Sequence, residues 1–193
     1  PAPPDATNGS SRPCRTLYPN SAGALTAADG EMQWYRQATP HDIFDRDLIH
    51  TLLVDAEIAG EPVTVVIGTG KAGLVIGHDL ETGEALWQTP VGHHENDDLE
   101  ALEGPTDVWP GTYGGVLTPP AAADGVVYVA TLNAPTRLAP DATSYIGSAL
   151  GTAAGQVAAI DASDGRILWD IEADADPLGG PNFADDFVFT AAF

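Results

Sequence analysis

An eleven-residue pattern that ends in tryptophan occurs three times in this chain, and it constrains the fold more than any other feature. Each copy has a small residue at position 1, glycine at position 7 and tryptophan at position 11, and two of the three carry aspartate at position 3. Recurrence of one short pattern at long intervals is typical of a structural unit that is used several times. The copies run from Ala24 to Trp34, from Gly77 to Trp87 and from Ala159 to Trp169.

The pattern itself predicts a β-hairpin. A strand ends near position 3, and an Asp-Gly or Thr-Gly pair then turns the chain, with glycine supplying a positive φ. The next strand begins just before the tryptophan, and the small residue at position 1 leaves room for a neighbouring ring. We therefore expect Trp34, Trp87 and Trp169 to be mostly buried anchors at equivalent positions of successive units, rather than active-site groups.

The spacing of the copies predicts the size of the repeating unit. Trp87 follows Trp34 by 53 residues, which is near the roughly 40–50 residues of one propeller blade. Trp169 follows Trp87 by 82 residues, which predicts one blade with an insertion of about 30 residues on the same blade length. We place insertions at 93–115 and 133–154.

Strand signals fill the rest of the chain. Short runs rich in Val, Ile, Thr and Tyr are bounded by Gly, Pro and Asp, and no convincing helical period is present. We therefore predict an all-β fold, a β-propeller of four-stranded antiparallel blades, with 1–193 as a single partial propeller domain. The runs lie at 32–37, 51–56, 62–68, 74–78, 125–131, 156–161 and 186–191.

The charge of the chain excludes some partners. The 193 residues include 28 acidic and 7 basic ones, and the formal net charge of −21 repels nucleic acid and anionic membranes. No apolar run approaches the roughly 20 residues that a membrane-spanning helix needs. Cys14 is the only cysteine, so an internal disulfide is impossible, and Lys71 is the only lysine.

A polar segment follows the strand signal at 32–37. Within seven residues it holds His41, Asp42, Asp45 and Asp47. In an extended chain Asp45 and Asp47 point to the same side, because side chains alternate with a period of two. Two carboxylates on one side suit a hard cation or a general base. On charge alone, the alternative is a solvated polar loop.

The stretch from Gly68 to Gly73 matches the dinucleotide-binding pattern G-x-G-x-x-G and contains Lys71. That fingerprint requires a helix directly after the glycines, because the helix N-terminus holds the phosphate. The strand signal at 74–78 follows instead, so we predict a hairpin turn. A surface lysine in this turn is the alternative to a functional one.

Two further segments leave alternatives open. The run from His93 to Asp98 holds many metal-ligand side chains, but adjacent histidines on a strand face opposite sides. A solvated insertion loop is therefore favoured over a metal site. The run from Pro110 to Val116 is a glycine-rich approach to a strand, which predicts either a ligand-lining loop or a flexible one.

Two of these features resemble a known family. The eleven-residue pattern resembles the tryptophan-docking motif of propellers that use pyrroloquinoline quinone (PQQ). The run from Gln37 to Asp47 resembles the segment of quinoprotein alcohol dehydrogenases that carries their catalytic aspartate, which corresponds to Asp45. The resemblance implies an eight-bladed parent that uses PQQ and a Ca²⁺ or lanthanide ion. This chain would be an internal section of about three to four blades.

The resemblance also implies roles for individual residues. Asp45 would be the general base, and Lys71, 26 residues later, would contact the quinone oxygen. Asp45 and Asp47 would be metal ligands, and a second aspartate at this spacing resembles the lanthanide-using members. The metal-binding glutamate and the tryptophan that stacks on PQQ in the family have no assignable counterpart in this sequence.

The implied function is PQQ-dependent oxidation of an alcohol or a similar hydroxyl substrate, with hydride passing to the quinone. The electrons would leave to an acceptor such as a cytochrome c or a quinone, and the location would be periplasmic or extracellular. The alternative is a non-catalytic propeller of the same type that acts as an assembly or interaction scaffold. The pairing of Asp45 with Lys71 favours the enzyme, because a scaffold has no use for it.

Overall fold

Every regular element in the described part of the chain is a β-strand. The computed structural model describes residues 18, 20–39, 46–140, 151 and 153–192, so Cys14, His41, Asp42 and Asp45 lie outside it. Within those ranges no helix is long and apolar enough to cross a membrane. The strands are β1 (Ser21–Leu25), β2 (Met32–Gln37), β3 (Leu48–Ile58), β4 (Glu61–Gly70), β5 (Leu74–Asp79), β6 (Ala85–Pro90), β7 (Thr106–Val108), β8 (Ala121–Ala123), β9 (Val126–Asn133), β10 (Thr136–Leu138), β11 (Ala154–Asp161), β12 (Ile167–Ala173), β13 (Gly179–Ala184) and β14 (Phe187–Ala191).

Two complete four-stranded antiparallel sheets form the centre of the fold. One has the order β3-β4-β5-β6 and the other the order β8-β9-β11-β12. The hairpin β1–β2 precedes the first sheet, and the hairpin β13–β14 follows the second. The short strands β7 and β10 pair with each other, which joins the stretches at 93–115 and 133–154. The prediction of an all-β fold built from four-stranded antiparallel blades is confirmed.

Hydrophobic patterning explains which strands lie inside. Strand β3 alternates between more buried and more exposed residues, as expected of an outer strand with one solvated face. Strands β4 and β5 instead carry continuous apolar runs, because both of their faces are covered. The main core consists almost entirely of branched aliphatic side chains and alanine: Val54, Val65, Ile67, Val75, Val91, Val116, Val127, Val129, Ala158, Ile160 and Ala162.

All three copies of the eleven-residue pattern form the same hairpin. Position 1 pairs directly with the tryptophan at position 11, and the register shifts just after position 1 in each copy. The glycine at position 7 has a φ between +70° and +76° in every copy. The three tryptophans therefore occupy equivalent strand positions, as the pattern predicts. The pairs are Ala24–Trp34, Gly77–Trp87 and Ala159–Trp169.

Two of the tryptophans dock on the turn of the next copy. Trp34 donates from Nε1 to the carbonyl O of Leu80 at 3.0 Å, and its ring covers Gly83. Trp87 donates from Nε1 to the carbonyl O of Ala162 at 2.9 Å, and its ring covers Gly165. A Cβ at either glycine would overlap the indole ring. Glycine at position 7 is thus required by the neighbouring copy as well as by its own turn.

The expectation that all three tryptophans are mostly buried is wrong for Trp169. Trp34 is only 8% exposed, whereas Trp169 is 40% exposed. The physical reason is that, among the described residues, no turn glycine lies beside the Trp169 ring as Gly83 and Gly165 lie beside the other two. The Trp169 ring lies instead near Tyr128, with ring centroids 6.1 Å apart.

Position 3 of the pattern stabilises the turn through hydrogen bonds. Asp79 accepts bonds from the backbone N and the hydroxyl of Thr82, which lower the pKa of its carboxyl. Asp161 accepts equivalent bonds from the hydroxyl and backbone N of Ser163, with the same effect on its pKa. These bonds explain why two of the copies carry aspartate at this position.

Replacing Gly83 by alanine should destabilise the protein more than replacing Gly30. Both occupy position 7, with φ of +70° and +76°, so alanine costs each site about 1–2 kcal/mol of backbone strain. Only at Gly83 would the methyl group meet the Trp34 ring, since nothing lies within 4 Å of that position at Gly30. Overpacking there adds about 1–3 kcal/mol. Chemical denaturation measures both losses, and equal losses would contradict the docking role.

Candidate active site

Lys71 lies in the tight turn between β4 and β5. The backbone N of Gly73 donates to the carbonyl O of Gly70 at 3.1 Å, which closes the turn. Strand β5 then pairs antiparallel with β4. The G-x-G-x-x-G stretch is therefore a hairpin and lacks the strand-to-helix geometry of a dinucleotide site.

Asp47 holds the turn through both its backbone and its side chain. The backbone N of Lys71 donates to the carbonyl O of Asp47 at 2.9 Å, and Lys71 Nζ lies 3.2 Å from Asp47 Oδ2. The lysine side chain is 18% exposed and the aspartate side chain 37%. The structure thus brings Lys71 against the last residue of the polar segment at 37–47. Asp45 precedes Asp47 by two residues and lies outside the described residues.

The glycine-rich loop from Pro110 to Val116 packs against the same turn. The backbone N of Val116 donates to the carbonyl O of Gly70 at 2.9 Å, and a Cβ at Gly115 would overlap the carbonyl of Lys71. Gly115 also exchanges two backbone hydrogen bonds with Leu132. Of the two alternatives left by the sequence, these contacts favour a loop held at the site over a flexible loop.

The loop after β6 also reaches the site. The buried guanidinium of Arg46 donates to the backbone carbonyl of Asp97, and its Nη1 lies 3.5 Å from Asp97 Oδ2. The same carboxylate lies 2.9 Å from His94 Nδ1. His94 Nε2 lies 3.2 Å from the carbonyl O of Gly73 and 3.2 Å from that of Val91.

The favoured interpretation of 93–98 as a solvated loop is wrong for His94 and Asp97. Both side chains are about four-fifths buried, with exposures of 21% and 22%. Arg46, which contacts Asp97, is 51 residues away from it in the chain, so no local sequence pattern predicts the contact. His93 and Glu95 fit the solvated interpretation, because they are exposed and pair with each other at 3.3 Å.

The described residues fit PQQ and the metal unequally. Lys71 offers a compact cation with N–H donors, which suits a quinone oxygen. Its turn contains glycines, so other backbone segments can come close to it. For the metal, the described ranges contain no group of three or more His, Cys, Asp or Glu that could hold an ion. Asp47 supplies one carboxylate, whereas a hard cation such as Ca²⁺ takes about six to eight oxygens. The described residues alone therefore do not make a metal site.

Four-stranded antiparallel sheets, with two tryptophans docked on the turn of the next copy, give the described part of the chain the architecture of a β-propeller. The family model for the β-propeller domain of glucose, ethanol and alcohol dehydrogenases matches residues 1–91. The model for the outer membrane protein assembly factor BamB matches residues 111–192. Each model covers less than half of the chain, and the two together match its N-terminal and C-terminal parts.

Two curated relatives match about half of the chain each. Quinoprotein glucose dehydrogenase from Escherichia coli is 32% identical over 88 residues, which is 45% of this chain and 11% of the relative. The 1-butanol dehydrogenase (cytochrome c) from Thauera butanivorans is 33% identical over 108 residues, which is 49% of this chain and 15% of the relative. The chain therefore spans only a small part of the length of these relatives.

Solved structures share the fold over most of the chain. Quinohemoprotein alcohol dehydrogenase ADHIIG from Pseudomonas putida superposes with a TM-score of 0.72 at 20% identity, covering 90% of this chain and 32% of the other. A europium-containing methanol dehydrogenase superposes with a TM-score of 0.67 at 21% identity, covering 85% and 34%. At these sequence identities the similarity supports a shared fold alone.

Proposed function

We propose that the protein takes part in PQQ-dependent oxidation of an alcohol or a similar hydroxyl substrate, with Asp45 as general base and Lys71 at the quinone oxygen. The observation that carries the proposal is the double contact between Asp47 and Lys71, through the backbone at 2.9 Å and through the side chains at 3.2 Å. These contacts bind Asp47, which lies two residues after Asp45, to Lys71, the proposed cofactor contact. PQQ, when bound, would supply the hydride acceptor.

The two residues would do complementary work. A carboxylate at Asp45 would take the proton of the substrate hydroxyl as hydride leaves the adjacent carbon. The ammonium of Lys71 would stabilise negative charge that develops on the quinone oxygen. Its mostly buried stem and its backbone bond to Asp47 hold the ammonium in place before substrate arrives, so little reorganisation is needed during the reaction.

Removing the Lys71 ammonium tests the proposal. In the full-length protein, Lys71→Ala should weaken PQQ binding and lower alcohol turnover by about 10²-fold, the usual cost of one lost electrostatic donor. Lys71→Arg should retain part of both, because it keeps the charge.

Dye-linked oxidation of an alcohol and titration of the apoenzyme with PQQ give the two readouts. The matched control is Arg137→Ala, which removes a cation that pairs with Asp107 at an exposed site. Wild-type turnover and PQQ affinity in Lys71→Ala would refute the assignment.

The metal is a separate part of the proposal. We propose that Asp45 and Asp47 contribute carboxylates to a Ca²⁺ or lanthanide site whose remaining ligands lie outside the described residues. A trivalent ion gains more than a divalent one from an added carboxylate, and both prefer oxygen. The support is the resemblance and the spacing of the two aspartates, while the contact with Lys71 gives Asp47 a second role as a counter-ion.

Metal reconstitution separates the two roles of Asp47. The metal-stripped full-length protein should regain more dye-linked activity with a light lanthanide than with Ca²⁺, and Asp47→Ala should remove that preference. Asp98→Ala, an exposed aspartate near the site, is the control. If Asp47→Ala lowers activity equally with both ions, Asp47 serves Lys71 alone.

A non-catalytic scaffold is the second candidate. Its support is the match of residues 111–192 to the model for an outer membrane assembly factor. Failure of the full-length protein to bind PQQ would favour this candidate. For the enzyme, we propose a periplasmic or extracellular location and a cytochrome c or quinone as electron acceptor, and the cytochrome-dependent butanol dehydrogenase relative supports the former acceptor.

A further inference from the structure

We propose that Arg46, Asp97 and His94 are positioning residues, a clamp that holds the Lys71 turn against the start of β3 at Arg46 and Asp47. The inference rests on the proposed function of Lys71 and Asp45, and it assigns a role to three residues that the family resemblance does not mention. Its basis is a closed ring of contacts among the described residues.

The first half of the ring consists of Arg46 and Asp97, which join the start of β3 to the loop after β6. Arg46 stands between Asp45 and Asp47 in the chain and is only 8% exposed. Its guanidinium reaches Asp97 at both the backbone carbonyl and the carboxylate. Both contacts are made by one nitrogen, Nη1, which donates to the carbonyl and lies 3.5 Å from the carboxylate. Arg46 therefore ties its own segment to the loop after β6.

The other half anchors the turn side. His94 connects Asp97, at 2.9 Å from Nδ1, to the carbonyl O of Gly73, at 3.2 Å from Nε2. A carbonyl only accepts hydrogen bonds, so Nε2 is the donor in that contact. The carbonyl of Gly73 also accepts from the backbone N of Val91 at 2.8 Å. Gly73 ends the turn two residues after Lys71, so the ring closes through Lys71 and Asp47 back to Arg46.

The ring explains why His94 and Asp97 are mostly buried although they lie outside both four-stranded sheets. Ordinary surface ion pairs contribute about 0–1 kcal/mol and position little, because long side chains lose entropy in forming them. Here the guanidinium is buried and bonds a backbone carbonyl, and the histidine bonds two more. Backbone partners fix the course of two chain segments relative to each other, which is what a positioned cation requires.

The test measures Lys71 directly. The full-length protein is treated with an amine-acylating ester, and mass spectrometry of the peptide that contains Lys71 gives its acylation rate. In Asp97→Asn, Lys71 should be acylated at least about threefold faster, since a turn with fewer restraints opens more often. PQQ should bind about tenfold more weakly, the equivalent of one lost charge-assisted hydrogen bond.

Asp98→Asn is the matched control, because it makes the same change of charge one residue away at an exposed side chain. If Asp97→Asn does not fold, His94→Leu is measured in the same way. The double variant of Asp97→Asn and His94→Leu should cost no more than the worse single change, because both break one ring.

Each outcome decides a different question. Acylation and PQQ binding in Asp97→Asn equal to those in Asp98→Asn would overturn the clamp. Faster acylation in Asp97→Asn, combined with wild-type turnover in Lys71→Ala, would support the clamp and refute the proposed function. Faster acylation with weaker PQQ binding supports both.

Discussion

Replacing Asp45 by asparagine should lower alcohol turnover of the full-length protein by about 10²–10⁴-fold, the range that general base catalysis contributes. An amide has almost the same shape as the carboxylate but cannot accept the proton of the substrate hydroxyl. PQQ should stay bound, because the proposed contact at Lys71 is unchanged. Dye-linked activity and PQQ content of the purified protein measure both quantities.

Asp42→Asn is the control for this experiment, because it makes the same chemical change three residues earlier in the same polar segment. It should leave turnover near the wild-type value. Unchanged turnover in Asp45→Asn would remove the proposed base. Loss of PQQ together with turnover would instead indicate that Asp45 acts in cofactor or metal binding.

The meeting of Asp47 with Lys71 follows only in part from a feature that the sequence does contain. Strands β3 and β4 are joined by a turn at Ala59–Gly60, where both residues have positive φ. A hairpin centred there pairs Ile58 with Glu61 and, at its other end, Leu48 with Gly70. Equal arms would place Leu48 opposite Lys71, but a register shift between Leu48 and His50 pairs Leu48 with Gly70 instead. This shift brings Asp47 opposite Lys71, although 24 residues separate them.

The clamp lacked any such signal. Its partners come from a strand entry, a turn and a loop, which follow no period that could be extrapolated along the chain. The adjacent histidines and acidic residues at 93–98 have the composition of an ordinary solvated loop. Composition alone cannot reveal that a buried guanidinium 51 residues away contacts this loop. Whether a charged group is buried depends on its tertiary contacts, and a single sequence does not show which distant residues make those contacts.

For the three tryptophans, the repeat predicts one property correctly and another incorrectly. Their common strand position follows from the pattern, since turn chemistry and pairing register are local properties. Their burial does not, because it depends on whether a further turn lies beside the ring. Trp34 has Gly83 as its neighbour, whereas no glycine of the described residues lies beside the Trp169 ring.

Trp87→Ala should be the most destabilising of the changes considered, lowering the free energy of unfolding by about 3 kcal/mol or more. The ring lies over Gly77 of its own hairpin and over Gly165 of the next, and it packs against the main core between the two complete sheets. Its Nε1 also donates to the carbonyl O of Ala162. Removing the ring opens a cavity at the joint between blades and takes away that bond.

Two matched variants separate these contributions. Trp87→Phe keeps an aromatic ring but loses the bond to Ala162, so its cost should be nearer 1 kcal/mol, about that of one hydrogen bond. Leu86→Ala, at an exposed neighbour on the same strand, should cost about 0.5 kcal/mol or less. Denaturation of the full-length protein with urea gives all three values. A loss in Trp87→Ala no larger than that in Leu86→Ala would mean that the docked ring does not hold the blades together.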